Sequence, residues 1–215
     1  MMGTIKKGIL GSFSGKVGNI VGASWKGIAY IRSLPASVRN PRTVKQVTQR
    51  SKFSLVGRLL KTLNPILKVG FKNIAGSGQS TFSAAMAYNI ANAVTGDYPD
   101  FEIDYPKLKL AAGPLYPANS ASAVSGPGSL DFTWDSEPVN NAKVTDRVMV
   151  IASNVSKGFA LYDMDFAARA DGSASMLMPD AWAGDEVETY MLFASEDGTL
   201  VSDSLYTGRV TVTAA

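Results

Sequence analysis

Neither cysteine nor histidine occurs anywhere in the 215 residues. Without thiols there is no disulfide framework, no thiolate nucleophile and no Cys-ligated zinc; without imidazole the commonest general base and the commonest metal ligand are both missing. Acidic residues are absent from a long stretch as well. Residues 1–96 hold 14 Lys and Arg and not one Asp or Glu, whereas residues 97–215 hold 7 Lys and Arg against 18 Asp and Glu. The formal net charge of +3 therefore conceals a +14 half and a −11 half. No apolar run approaches the roughly 20 residues that span a bilayer. The beginning Lys6-Lys7-Gly8-Ile9-Leu10 is interrupted by Gly11, Ser12, Ser14, Gly15 and Lys16 before it reaches signal-peptide length. The expectation is a chain with no membrane span, cytoplasmic when synthesised. Its 46% hydrophobic content is enough for one large or two small cores.

Glycines at 8, 11, 15, 18, 22 and 27 alternate with Phe13, Val17, Ile20, Val21, Trp25, Ile28, Tyr30 and Ile31. That mixture disfavours helix and predicts a hairpin of Lys16–Ala23 and Gly27–Ser33, turning near Ser24-Trp25-Lys26. A lone hairpin is marginal in water, so it requires a partner in its own chain or a neighbour. Asn40-Pro41 suits a helix start, and Arg42–Leu63 reads as a long helix that Asn64-Pro65 ends or kinks. Its apolar residues fall in two groups, Val44, Val47 and Leu55 against Phe53, Val56, Leu59, Leu60 and Leu63, as on a helix contacted from two sides. Pro65–Phe71 suits a short helical continuation. Ser80 is placed to cap a second helix reaching about Val94, with Phe82, Met86, Asn89, Ile90 and Ala93 on one face, so that the two form an antiparallel pair. Five prolines at 99, 106, 114, 117 and 127 mark a junction holding one edge strand near Lys107–Ala111.

From Ser129 the pattern turns to period two. Leu130, Phe132 and Trp134 alternate with polar residues, and further runs cover Arg147–Ala152, Gly158–Tyr162, Ser173–Met178, Glu186–Ala194 and Leu205–Thr213. Short strands broken by regular turns predict an immunoglobulin-like sandwich. The expected class is α+β, with a Gly-rich β-hairpin and helical pair followed by a C-terminal antiparallel sandwich. The expected regions are residues 1–96, a basic assembly or binding part; 97–128, the junction; and 129–215, the sandwich.

Two resemblances sharpen this. Ser129-Leu-Asp-Phe-Thr-Trp134 and Gly184–Ala194 are similar to strands of fibronectin type III domains, which imply a spacer or contact surface and no catalytic residues. Over nearly the whole chain, Gly8-Ile-Leu-Gly-Ser-Phe-Ser-Gly-Lys-Val-Gly18, Trp25-Lys-Gly27, Arg32-Ser-Leu-Pro35, Asn40-Pro-Arg-Thr43, Gln46, Gln49, Arg50-Ser-Lys-Phe53 and the Ala-Met-x-Tyr-Asn segment at 85–89 resemble an uncharacterised bacterial family also met in phage-like settings. The Asn-Pro-Arg-Thr segment is similar, too, to small structural proteins of phage particles. These likenesses imply an assembly role and no established activity.

Catalytic and metal-binding sets are sparse. Gly76-Ser-Gly-Gln-Ser80 lacks the Gly-Lys-Ser/Thr ending of a phosphate loop and reads as a loop with an N-cap. Asp163, Asp165 and Asp171 do not have EF-hand spacing, which leaves them as solvated turn residues. Glu186 and Glu188 share a strand face and are spaced for an acid–base pair, but nothing nearby completes a site. The expectation is therefore a non-enzyme with no cofactor and no metal. One constellation stands out: Trp25, Tyr30 and Phe53 among Lys16, Lys26, Arg32, Arg39, Arg42, Lys45, Arg50 and Lys52. It suits subunit contact, as a homo-oligomer or with other structural subunits of a phage-like virion or other self-assembling particle. It equally suits nucleic acid, with cations on phosphates and aromatics on bases. Docking of the basic half on the acidic half of a neighbour is a further mode, and would build rings or filaments. A third class, a surface adhesion or carbohydrate-binding module, would place its ligand near Tyr162, Trp182 or Tyr206.

Overall fold

In a computed structural model, which describes residues 4–5, 11–37, 40, 42–76 and 78–214, the glycine-rich segment forms four antiparallel strands. They are β1 (Thr4–Ile5), β2 (Phe13–Val17), β3 (Ile20–Trp25) and β4 (Ile28–Ser33), in that spatial order. The strand expected over Lys16–Ala23 is thus two strands. Gly18 adopts φ 57° and opens a two-residue loop with Asn19, so that Val17 pairs with Ile20. The second loop is Lys26-Gly27, between paired Trp25 and Ile28. Both its residues have positive φ, 48° and 82°, as the type I′ hairpin turn demands. Gly22 matters for a different reason: a Cβ there would lie 2.7 Å from the Phe13 ring, so the ring covers a bare backbone.

The described residues divide into two compact units, Met1–Val44 with Gly76–Gly78, and Lys45–Ala75 with Gln79–Ala215. The boundary at Val44 separates the small sheet from the helices that the sequence grouped with it, because those helices share a core with the C-terminal sheets. They are α1 (Val44–Thr62), α2 (Asn64–Gly70) and α3 (Thr81–Asn92). Pro65 in the first turn of α2 separates it from α1, as Asn64-Pro65 predicts. Pro41 lies outside the described residues, and the first helix begins not at Arg42 but at Val44. Ser80 caps α3 as expected, its Oγ accepting from the Ser83 N–H at 3.1 Å.

In the second unit β7 (Ala121–Gly126), β8 (Ser129–Trp134) and β11 (Ser173–Leu177) make one sheet, ordered β11-β8-β7; β9 (Arg147–Asn154), β10 (Phe159–Ala168), β12 (Glu186–Ala194) and β13 (Leu205–Thr211) make the other, ordered β10-β9-β12-β13. This is the α+β architecture with an immunoglobulin-like sandwich. Leu130, Phe132 and Trp134 meet Val148, Val150, Val187, Met191 and Phe193 between the sheets. The opposite face of the four-stranded sheet, including Met149, Ile151, Tyr190 and Leu192, packs with Val56, Leu60, Leu63, Ile66 and Leu67 of the helical layer. Val56 and Leu60 are the buried residues of α1, both from the second apolar group; Phe53 of that group and Val44 of the first are exposed, so neither group is covered as a whole.

The proline-rich stretch 97–128 is not a loose linker. Leu108, Leu110, Ala111, Ala112, Leu115 and Ala118 are buried, and Lys107–Ala111 is no strand: Lys107 ends a 3-10 turn and the residues after it cross the fold held by side chains. Asn89 of α3 donates to the Lys109 carbonyl at 2.8 Å and accepts from the Lys109 N–H at 2.8 Å, while the Leu110 N–H donates to Ser204 Oγ. The short pair β5 (Val94–Thr95) and β6 (Glu102–Ile103) opens the stretch, and β7, unmarked in the sequence, closes it.

Candidate functional site

Register fixes which side chains of the N-terminal sheet share a face, because directly opposed residues lie on the same side of the pleat. Val21 lies between Lys16 and Arg32, Ala23 is opposite Tyr30, and Trp25 is opposite Ile28. One face therefore brings together Lys16, Arg32, Tyr30, Trp25 and Ile28. The other holds Val17, Ile20 and Ile31 around Gly22. Apolar side chains on both faces stay exposed: Ile31 67%, Ile28 59%, Val17 53%, Trp25 51%, Tyr30 46% and Ile20 45%. The Trp25 indole N–H donates to the Gly78 carbonyl at 3.0 Å, which ties Gly78 to this sheet.

Of the basic candidates, Lys16 and Arg32 join the two aromatics, Lys26 occupies the tight turn, and Arg42, with φ 48°, belongs to the same unit. Lys45, Arg50 and Lys52 belong to α1 in the second unit. The Lys52 ammonium sits 4.9 Å from the centre of the Phe101 ring and so has a role inside that unit. Arg39 lies outside the described residues. Ile28 and Ile31, which enlarge the surface most, were not singled out in the sequence. Their signal was present in Ile28-Ala29-Tyr30-Ile31, where large apolar residues occupy both parities of one strand.

Polar clusters elsewhere serve the fold. Glu188 is buried and accepts from Tyr206 Oη at 2.7 Å and from Arg209 Nε at 2.8 Å, while Glu186 is 3.5 Å from the same guanidinium. Burial and then the bond to Glu188 push the Tyr206 hydroxyl up to about 12. One arginine thus links both glutamates in an ion-pair cluster on the wall of a cavity of about 430 Å³. The hydrogen bond from Lys157, then that from Asn154, holds Asp185 on the same wall below the usual carboxylate range. Asp163 accepts from the Asp165 N–H and Asp171 from the Ala168 N–H, so both carboxylates organise turns. Among the described residues no group of three Asp or Glu is placed to hold a metal ion, and no helix is long and apolar enough to cross a membrane. Trp182 is buried in the sandwich core, whereas Tyr162 and Tyr206 pack against the other core, so the proposed carbohydrate-binding aromatics do not form one exposed platform.

Six cations of the acidic half, Lys107, Lys109, Arg147, Lys157, Arg169 and Arg209, form ion pairs with that half's own carboxylates. A family model described as "Family of unknown function (DUF6266)" matches residues 12–208. No curated protein matches the chain.

Proposed function

We propose that the chain, which belongs to the DUF6266 family, is a non-enzymatic structural protein that assembles with copies of itself or with other structural subunits through its N-terminal sheet. One observation carries the reading: a four-stranded sheet exposes Val17, Ile20 and Ile31 on one face and Trp25, Ile28 and Tyr30 on the other. Contiguous apolar surface of this kind marks a contact site, since leaving it in water forgoes about 25 cal/mol for every Å² that a partner would cover. The finer assignment, a component of a phage-like virion or other self-assembling particle, draws on the Asn40-Pro-Arg-Thr43 segment. Light scattering coupled to size exclusion tests the core of the proposal: the full chain elutes as an oligomer at micromolar concentration, and a monomer throughout that range overturns it.

The grouping of Lys16 and Arg32 with Tyr30 and Trp25 on one face favours a second reading, single-stranded nucleic acid, in which cations track the backbone and rings stack on bases. It predicts gel retardation of a fluorescent oligonucleotide at 50 mM salt that Tyr30→Ala and Arg32→Ala both weaken. The absence of retardation of DNA and RNA alike removes it.

A further inference from the structure

Strand β4 is a sheet edge with no other strand on its outer side among the described residues, and all six of its residues are exposed. Ile28-Ala-Tyr-Ile-Arg-Ser33 has a single charge, no proline and no glycine. Such an edge is a template for pairing with another chain. Three other edges among the described residues are blunted. The opposite edge, β1, is two residues long. Edge strand β10 carries Asp163 and Asp165 beside a register shift between Asp163 and Ala167, and β13 pairs through a shift at Thr189/Tyr190 and contains Gly208 at φ 120°. β4 has none of these devices.

The turn fixes which backbone groups are free. A two-residue loop makes Trp25 and Ile28 a hydrogen-bonded pair, so Tyr30 opposite Ala23 and Arg32 opposite Val21 also direct their N–H and C=O groups at β3. Ala29, Ile31 and Ser33 therefore direct theirs outward, and no loop or turn backbone bond reaches them among the described residues.

We infer that a second copy of the chain occupies this edge, β4 pairing antiparallel with β4 about a two-fold axis through Ile31. The inference deepens the assembly reading and rests on it. With the axis at Ile31, Ala29 is opposite Ser33 of the second copy and Ile31 is opposite its own counterpart, so every outward-facing residue of each edge is matched. Tyr30 then faces Arg32 of the second copy, and Arg32 faces Tyr30. These are non-hydrogen-bonded pairs, the class in which side chains approach closest, and a guanidinium against an aromatic face is electrostatically complementary. Moving the axis to Tyr30 sets Ser33 against Gly27 in the turn and separates both Arg–Tyr pairs. The two edges are thus self-complementary in one register, as a two-fold interface requires.

The cysteine-free sequence makes the test direct. Hydrogen-bonded and non-hydrogen-bonded antiparallel pairs place Cα atoms about 5.5 and 4.5 Å apart, both within disulfide reach. In the full chain oxidised with copper phenanthroline, Ile31→Cys forms disulfide dimers by itself. Tyr30→Cys and Arg32→Cys cross-link when mixed and not when alone, and Ser54→Cys on α1 sets the background. Ile31→Pro removes an N–H that is unpaired within one chain, so it leaves the thermal melt in place and weakens self-association by about tenfold or more. Amide exchange on the unmodified protein provides a readout free of variants: Ala29, Ile31 and Ser33 become protected as concentration rises from nanomolar to micromolar. An oligomer in which Ile31→Cys does not exceed background and these amides stay unprotected overturns the edge pairing while leaving the assembly reading standing. Self-cross-linking of Tyr30→Cys overturns the register. A monomer at every concentration overturns both readings.

Discussion

Arg169 has no solvent exposure, and its environment shows how a charge is kept inside the sandwich. Its Nε donates to Asp146 at 3.2 Å and one terminal nitrogen to the Tyr116 carbonyl at 2.8 Å, while the guanidinium lies 3.9 Å from the centre of the Phe193 ring. Burial lowers its pKa, and the Asp146 charge opposes that shift. Removing one member of a buried pair strands the other without water, so Arg169→Met is expected to cost about 3–5 kcal/mol, read as a lower urea midpoint. The double variant Arg169→Met/Asp146→Leu is expected to recover part of that loss, because no buried charge is then left alone. A surface carboxylate behaves differently. The Asp197 side chain accepts from Ser195 Oγ, the Thr199 N–H and Thr199 Oγ1, bonds that hold its pKa down to about 2. A group whose pKa is depressed by folding stabilises the fold above its unfolded value, about 3.9, and that contribution fades as pH falls toward 2. Asp197→Ala is therefore expected to lower the melting temperature at pH 6 and to have little effect near pH 2, a difference that calorimetry at the two pH values checks.

Asn89 shows why an apolar helical stripe need not be wholly apolar. It sits among Phe82, Met86, Ile90 and Ala93, fully buried, where it joins α3 to the crossing segment by pairing with both backbone groups of Lys109. Asn89→Ala leaves those groups without their partner and is expected to destabilise by about 1–3 kcal/mol in urea unfolding, with Asn89→Asp at least as costly because a buried carboxylate oxygen would face the Ala85 and Lys109 carbonyls to which the amide donates. The same element shows where the sequence could be read and where it could not. Ser80, Pro65 and the alternation of Leu130, Phe132 and Trp134 act through local chemistry, so caps, breaks and strands were visible. The exposure of Val44 and Phe53, the course of 97–128 and strand β7 depend on what lies across the fold. Ala121-Ser-Ala-Val-Ser-Gly126 has weak strand preference of its own and is held by pairing with β8. Strands β9 and β12 are buried on both faces under the helical layer, so Val148–Ala152 reads as a continuous apolar run. In the N-terminal sheet the basic and aromatic residues could be read individually, but a single missed turn at Gly18-Asn19 concealed which of them share a face. A slip of one residue exchanges the two faces of a strand.

The division of charge between the halves allows the modes of association to be told apart by salt. The acidic half draws on its own cations for its ion pairs, while the candidate sheet presents Lys16, Lys26 and Arg32 with no acidic residue in its sequence. Two copies meeting through β4 bring like charges together around an apolar and backbone-bonded contact. Screening reduces that repulsion, since the Debye length falls from about 10 Å at 0.1 M to about 3 Å at 1 M, and the apolar term does not weaken with it. Edge pairing therefore predicts self-association that holds or tightens between 0.05 and 0.5 M sodium chloride. Docking of a basic half on a neighbour's acidic half predicts weakening over the same range, because its attraction is the charge itself. Nucleic-acid binding weakens most steeply, with log affinity for a single strand falling by about 0.7 per phosphate contact for each decade of salt, through release of counterions. Sedimentation velocity on the protein alone, and fluorescence anisotropy with an oligonucleotide across one salt series, give the slopes. A protein-only association constant that falls tenfold or more across the series assigns the contact to opposite charges and removes the β4 edge as its main source.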